Sequence, residues 1–358
     1  MNESAIGRLR LQAQQIGVHQ LKTPVEAVRY MGAIQAQDYA GSKWAIGARV
    51  HGVTEADVEK AVANREIVRT WPQRGTIHFV APDEIRWRLS LTSERILRSA
   101  KRRHENLGLV QADFDKALDL FRVTLAGDKQ LSRPDMMQVL ENGGISTAGQ
   151  RGYHILWYLA QTAHLCFGPL QGKQPTFALL DEWVPNIPEI PREEALKRLT
   201  ERYFVSHGPA TIQDLMWWSG ITAAEIKIGL ELAKPVLTSV DIDGKTYWMG
   251  QDLPDITSPK HSTYLLPPFD EYLLGYKDRT HVLDAQYFNL VVPGGNGVFS
   301  PLLVIDGQIR GIWRREIKKN EIIVKLSPFS TQISAQDEAI VDAAVSYGKF
   351  IGLPVQIG

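Results

Sequence analysis

The chain has 358 residues, 44% of them hydrophobic, with 40 basic residues balanced by 40 acidic ones and a single cysteine. The length suits several packed units and the composition is not that of a disordered chain, while zero formal charge argues against a protein that coats nucleic acid through bulk charge, so any such binding must come from local patches. One thiol excludes an internal disulfide framework and every multi-cysteine zinc site, and Cys166 between Leu165 and Phe167 reads as a small core residue.

The start, Met1 to Arg10, mixes charged and apolar residues and lacks the apolar core of a signal peptide. No later stretch is long and apolar enough to span a bilayer, so the expectation is a cytoplasmic protein without a membrane partner. Thr23 and Pro24 then read as a cap and first turn for a helix running through Val25 to Ile34. This opens the first copy of a segment that recurs three times. Its matching Gly52-Val53-Thr54 arrives only after an insertion that begins Gln35-Ala36-Gln37-Asp38-Tyr39. Where one repeat departs from its siblings, function is the usual reason. Ile67 to Trp71 and Thr76 to Val80 flank Pro72-Gln73-Arg74-Gly75 as a small hairpin. Further on, Arg95, Arg98, Lys101, Arg102 and Arg103 recur at helical spacing, either a solvated face or a phosphate contact.

The second copy runs from Leu131-Ser132 through Arg133 to Leu140, with Gly144-Ile145-Ser146 closing the turn. Thr162 to Phe167 and Thr176 to Leu180 follow as its hairpin. Pro185, Pro188 and Pro191 make a rigid joint. The third copy has Pro209-Ala210-Thr211, a helix over Ile212 to Trp218, then Ser219-Gly220-Ile221-Thr222 as turn and new cap. Val236 to Val240 and Lys245 to Met249 form its hairpin around the strong turn signal Asp243-Gly244. Pro254 and Pro259 make another joint. From about Ser262 the pattern changes to short β-rich runs, among them Tyr264 to Leu266, Phe288 to Val292, Leu302 to Ile305, Gln308 to Trp313 and Ile322 to Leu326, with a final helical stretch from Ser334 to Lys349. The fold class is therefore α+β: three tandem winged helix-turn-helix units, expected at 1–110, 111–186 and 187–257, followed by a small C-terminal β-barrel-like domain at 258–358.

An ordered set of motifs spans most of the chain. It comprises Ile34-Gln35-Ala36-Gln37, Arg74-Gly75-Thr76-Ile77-His78, Gly208-Pro209-Ala210-Thr211 with Trp218-Ser219-Gly220, Leu265-Leu266-Pro267-Pro268-Phe269-Asp270 with Asp278-Arg279, and Asp306-Gly307 with Gly311-Ile312-Trp313. In this set the chain resembles the AlkZ-like winged-helix DNA glycosylases. The resemblance implies winged helices wrapped around duplex DNA and hydrolysis of the N-glycosidic bond of alkylated bases, with some members unhooking interstrand crosslinks. Family members carry Gln-x-Gln or Gln-x-Asp at the active site, and Gln35 and Gln37 are the first form, with Asp38 directly after. The implied partner is double-stranded DNA containing alkylated bases, with no obligate protein partner.

An amide cannot protonate a leaving base, but a base alkylated at N7 or N3 already carries positive charge and leaves without that help. What remains is to stabilise a cationic sugar and hold a water at its anomeric carbon, which a carboxamide oxygen can do. Two amides at i and i+2 share a side on extended backbone, whereas on a helix they stand about 200° apart. The helix from Pro24 is therefore expected to end near Gln35, with Asp38 to Ser42 as loop. Asp38 reads either as electrostatic support for the sugar cation or as a cap for the next turn.

Trp44 could stack near the site or belong to the core. His78 alternates with Thr76 and Val80 and is a candidate for phosphate or the lesion. Arg69 and Arg74 flank the first hairpin turn and suit phosphate oxygens, and Arg151 and Arg279 complete the candidate DNA contacts. Arg310, Arg314, Arg315, Lys318 and Lys319 make the densest basic cluster, either a solvated barrel rim or a clamp on the DNA backbone. The chain carries no P-loop, zinc-ligand spacing or dinucleotide fingerprint, so neither cofactor nor metal is implied. Two other classes fit the same pattern: a non-enzymatic transcription regulator reading the major groove, and an interaction scaffold.

Overall fold

The computed structural model describes residues 3–18, 20–252 and 262–358. The joint expected at Pro254 and Pro259 lies outside the described residues. Contacts divide the chain into two units, one comprising Met1–Val58, Leu196–Trp218 and Thr222–Gly358, the other Glu59–Ala195 and Ser219–Ile221. No helix among the described residues is long and apolar enough to cross a membrane.

In the first unit the caps read from sequence set the helix starts. Thr23 Oγ1 accepts the Glu26 amide proton at 3.2 Å while the Glu26 carboxylate accepts that of Lys22 at 2.7 Å, opening the helix Pro24–Met31. Gly32, with φ of 77°, ends it, three residues short of where Gln35 was expected to mark the end. Ile34–Gln35 is extended. The loop expected from Asp38 to Ser42 is instead the start of a helix, Tyr39–Gly47, because Asp38 Oδ1 caps it by accepting the Gly41 amide proton at 2.8 Å. Gly41 looks like a breaker but serves packing: a Cβ there would lie 3.0 Å from Pro268. Gly47 likewise lets the helix Glu338–Ile351 approach, since a Cβ would meet the Phe350 ring at 2.5 Å.

The third copy follows its sequence grammar closely. Thr211 and Asp214 cap each other at the start of Ile212–Ser219, and Thr222 and Glu225 form the capping box of Ala223–Ala233. Strands Leu237–Ile242 and Lys245–Gly250 pair through Asp243 and Gly244, both at positive φ (48° and 75°), as a tight two-residue turn requires. Paired amide bonds of 3.0 and 2.8 Å between Ala210 and Trp248 close the hairpin onto the segment before the first helix.

The C-terminal β-rich region is a five-stranded sheet in the order Val355–Ile357, Ile322–Pro328, Gln308–Ile317, Leu302–Ile305, Thr263–Leu266, antiparallel except for the pairing of Ile322–Pro328 with Val355–Ile357. The strand expected at Phe288 to Val292 is a short helix, Phe288–Val291, following a turn that Asp284 caps by accepting the Gln286 amide proton. The helix Glu338–Ile351 covers the sheet, with Tyr347 edge-on to Trp313 at 5.1 Å.

In the second unit the two hairpins merge. Strands run Thr76–Val80, Val68–Gln73, Leu165–Gln171, Gln174–Leu179, Leu131–Ser132, with Arg69 opposite Phe167 where one hairpin meets the other. Trp71, Phe167 and Phe177, from three strands of this sheet, pack in series with tilted rings 4.5 and 4.8 Å apart, and helices Gln111–Leu125, Arg133–Asn142 and Arg151–Gln161 contribute Phe114, Phe121, Met136 and Ile155 to the same core. Cys166, between Leu165 and Phe167 in the strand Leu165–Gln171, is fully buried, and burial pushes its thiol up, so it is inert packing.

Two stability consequences follow. Arg49, fully buried, donates through Nη1 and Nη2 to both carboxylate oxygens of Asp270 at 3.0 and 2.9 Å. Arg49→Ala strands a buried charge and should cost about 3–5 kcal/mol in chemical denaturation, whereas Arg49→Met with Asp270→Leu should cost far less. Burial also lowers the pKa values of His104, His154, His164 and His207 below their ordinary 6.5. The unfolded chain then binds more protons than the folded one as pH falls, so this stability is present above pH 6.5 and lost below it. Urea titrations should show a decline through that window, shallower in His207→Gln.

Candidate active site

The insertion places two amides in contact. Gln35 Nε2 donates to Gln37 Oε1 at 3.2 Å, and Gln35 Oε1 accepts the backbone N–H of Gln37 at 3.3 Å. Gln35 is buried, 5% exposed, whereas Gln37 is exposed. The buried amide thus spends both of its ends orienting the exposed one. Gln37 keeps acceptor capacity on Oε1, which has a second lone pair, and donor capacity on its NH2 group. Asp38, half-buried, is committed through Oδ1 to capping the helix Tyr39–Gly47. The extended backbone that an i, i+2 pair requires is present because Gly32 stops one helix and Asp38 starts the next.

Behind this pair lies a buried polar network. The backbone N–H of Gln35 donates to Glu271 Oε1 at 3.0 Å, and Trp218 Nε1 donates to Glu271 Oε2 at 2.9 Å. His207 Nε2 stands 3.7 Å from the same oxygen, too long for a hydrogen bond, and burial lowers its pKa despite that carboxylate. Its other nitrogen meets Ser206 Oγ at 2.8 Å and its ring stacks on Tyr203 at 4.7 Å. Asp270, beside Glu271, accepts the Tyr272 amide proton at 2.8 Å and the bidentate Arg49. Arg49 also donates to Gln14 Oε1 at 2.6 Å and to the Ala45 carbonyl at 2.8 Å, and Gln14 Nε2 donates to Tyr276 Oη at 3.0 Å. Phe269, just before the two acids, sits at φ of 58°, a left-handed conformation that costs about 1–3 kcal/mol for a residue with a side chain. Glu271, His207 and Arg49 were missing from the sequence candidates. The available signal was two adjacent acids after the rigid Pro267-Pro268 pair.

The remaining sequence candidates separate by burial. Trp44 is core: 5% exposed, donating from Nε1 to the Leu265 carbonyl at 2.6 Å and packed on Tyr347 and Phe350. His78 is fully buried with Nδ1 2.9 Å from the carbonyl of Thr76, two residues before it, so it has no access to a phosphate. Arg151 donates to the carbonyls of Ser146, Leu107 and Gly108 and lies 3.7 Å from Asp113, which makes it a structural tie between helices. Arg69 is 9% exposed and lies 4.7 Å over the Phe167 ring. Arg74, in the hairpin turn at φ of 52°, is half-exposed. Arg279, also half-exposed, is flanked by Trp217 and Phe299 at 5.3 and 5.1 Å.

Two open grooves lie beside the helices Ile212–Ser219 and Arg133–Asn142. One, about 860 Å³ in the first unit, is bordered by Gln213, Lys227, Lys245, Trp248 and Lys277. The other, about 550 Å³ in the second unit, is bordered by Arg133, Thr147, Gln150 and Tyr153. The three lysines escaped the sequence reading because they come from a helix, a hairpin and a loop and form no run. Among the described residues no group of three or more His, Cys, Asp or Glu is placed to hold a metal ion.

Comparison with known proteins identifies the family. The profile of the family described as DNA glycosylase AlkZ-like matches residues 28–350. The interstrand DNA cross-link repair glycosylase of Streptomyces sahachiroi is 26% identical, with 97% of each chain covered. The solved structure of Streptomyces sahachiroi DNA glycosylase AlkZ superposes with a TM-score of 0.78 at 24% identity over 100% of both chains, which speaks to the fold. Membership in an enzyme family sets aside the regulator and scaffold readings. With a family match running through both the Gln35 and Gln37 pair and the acidic pair behind it, the chain belongs to the AlkZ-like DNA glycosylase family, enzymes that hydrolyse N-glycosidic bonds in DNA.

Proposed function

We propose that this glycosylase removes cationic alkylated purines from duplex DNA, with Gln37 holding the attacking water and Gln35 orienting Gln37. The single observation that carries this reading is the 3.2 Å contact between a buried and an exposed amide on extended backbone. The bond between the sugar's anomeric carbon and the base nitrogen breaks with its electron pair going to the base, which the adduct's positive charge makes a good leaving group. The anomeric carbon, now cationic, is attacked by the water whose proton Gln37 Oε1 accepts in a hydrogen bond. That proton ends in solvent, because an amide does not take it up. Preorganisation of the water, rather than acid catalysis, supplies the rate. Asp38 contributes negative charge nearby while serving as cap. The name of the Streptomyces sahachiroi relative makes bulky adducts and interstrand crosslinks the next substrates to test.

Three winged helix-turn-helix units at 1–110, 111–186 and 187–257, with a barrel-like β-rich domain at 258–358, remain our reading of the architecture, supported by the recurring capped helices and hairpins. DNA is held by local cations: Arg74 and Arg279 from the sequence candidates, and Lys227, Lys245 and Lys277 around the groove of the third copy. Neutral overall charge makes each of these contacts count, since every neutralised phosphate releases counterions.

Gln37→Ala should slow single-turnover excision of N7-methylguanine by about a hundredfold to a thousandfold, with DNA affinity nearly unchanged. Excision by the wild type should exclude neutral bases. A well-folded Gln35→Ala, Gln37→Ala variant working at the wild-type rate would overturn the assignment. For binding, titrations of undamaged duplex at several salt concentrations should give a log-log slope that falls by about one unit on replacing either Lys227 or Lys277 with Gln; an unchanged slope removes that lysine from the interface.

A further inference from the structure

Glu271 is fully buried, and each of its two carboxylate oxygens has a separate donor: the backbone N–H of Gln35 at 3.0 Å and Trp218 Nε1 at 2.9 Å. The first of these bonds spans 236 positions of chain and lands on the backbone of the residue whose side chain orients Gln37. Its partner in sequence, Asp270, is fixed by the bidentate Arg49 and caps the short helix Glu271–Leu274, so the carboxylate of Glu271 projects from a held element. A held acceptor beneath an extended dipeptide determines where the carboxamides above it point.

Resting on the reading that Gln35 and Gln37 position the water, we propose that Glu271 is a positioning residue for excision: it sets the backbone of the Gln35-Ala36-Gln37 segment by accepting the Gln35 N–H, and Trp218 keeps its second oxygen occupied so that the first stays aimed. The carboxylate touches neither base nor sugar in this role. Its requirement is for two acceptors facing two donors. An amide at position 271 offers one acceptor and one donor, so in Glu271→Gln either Gln35 or Trp218 confronts a buried N–H with another N–H. Removing the indole donor by Trp218→Phe relieves that conflict and lets the amide oxygen serve Gln35.

The test is a double-mutant cycle on the full-length protein, read as single-turnover excision of N7-methylguanine from duplex DNA at saturating enzyme, with thermal midpoint and DNA affinity measured alongside. Glu271→Gln in the wild type should slow excision by about a hundredfold, the order expected when a reacting group is misplaced by an ångström, with affinity little changed. In the Trp218→Phe background the same Glu271→Gln change should cost less than about threefold, and across the four proteins the excision rates should not simply follow the thermal midpoints, as they would if the carboxylate were merely structural. Equal cost in both backgrounds overturns the proposal. Should Trp218→Phe not fold, Glu271→Met, which fills the space without an acceptor, should be at least about tenfold slower than Glu271→Gln, and equal rates overturn it. The Gln35→Ala, Gln37→Ala variant run in parallel separates the two readings: if it excises at the wild-type rate the water-holding role itself falls, whereas slow amide variants beside an unimpaired Glu271→Gln remove only the positioning role.

Discussion

The bidentate pair between Arg49 and Asp270 is the constraint on which the candidate site depends. Both side chains are fully buried, and the two contacts of 3.0 and 2.9 Å join the end of the insertion to a segment 221 positions away. A buried ion pair is weak evidence for stability, since desolvation offsets much of its attraction. Its value here is placement. Asp270 is the cap of the helix that presents Glu271, and Arg49 comes just after Ala48, the C-cap of the helix that Asp38 begins. The insertion is therefore held at both ends by adjacent acids, at Arg49 by Asp270 and at Gln35 by Glu271.

That arrangement explains why strain is tolerated beside it. Phe269 in a left-handed conformation turns the chain so that two consecutive acids can reach different parts of the insertion. Around them, the surrounding polar groups are joined in a network through Gln14, Tyr276, His207 and Trp218 rather than left as isolated charges. A low-dielectric interior makes such a network stiff, because each lost partner strands another group. The outward result is modest in appearance: one buried amide holding one exposed amide.

Basic side chains at the surface follow a different principle. The formal charge is zero, and on the long helix Ile85–Asn106 Arg98 and Lys101 are spent on exposed local pairs with Glu94 and Glu105, which contribute little to stability. Lys227, Lys245 and Lys277 converge around one groove from three separate elements, with Lys245 paired to Asp278 at 3.1 Å. Asp278, at the edge of that groove, shows how polar the rim is: burial alone would raise its pKa, but hydrogen bonds from Thr280 and Lys245 hold it down to about 2.

By itself the sequence determined the local features whose causes lie within a few residues. The caps at Thr23, Ser132 and Thr222, the hairpin turn at Asp243-Gly244 and the extended placement of Gln35 all appear where neighbouring residues require them. The helix Tyr39–Gly47 was hidden because Gly41 and Ser42 resemble loop residues until Pro268 is seen packed against the first. Tertiary structure alone decided which candidates reach solvent. Trp44 and His78 are buried by partners distant in sequence or by the sheet around them, and Arg151 is consumed by carbonyls some forty positions earlier. It also decided that Glu271 lies under Gln35, since no periodicity or spacing encodes a hydrogen bond between residues 236 positions apart. Local hydrogen bonding is written in adjacent residues, whereas burial and long-range pairing exist only once the chain has packed.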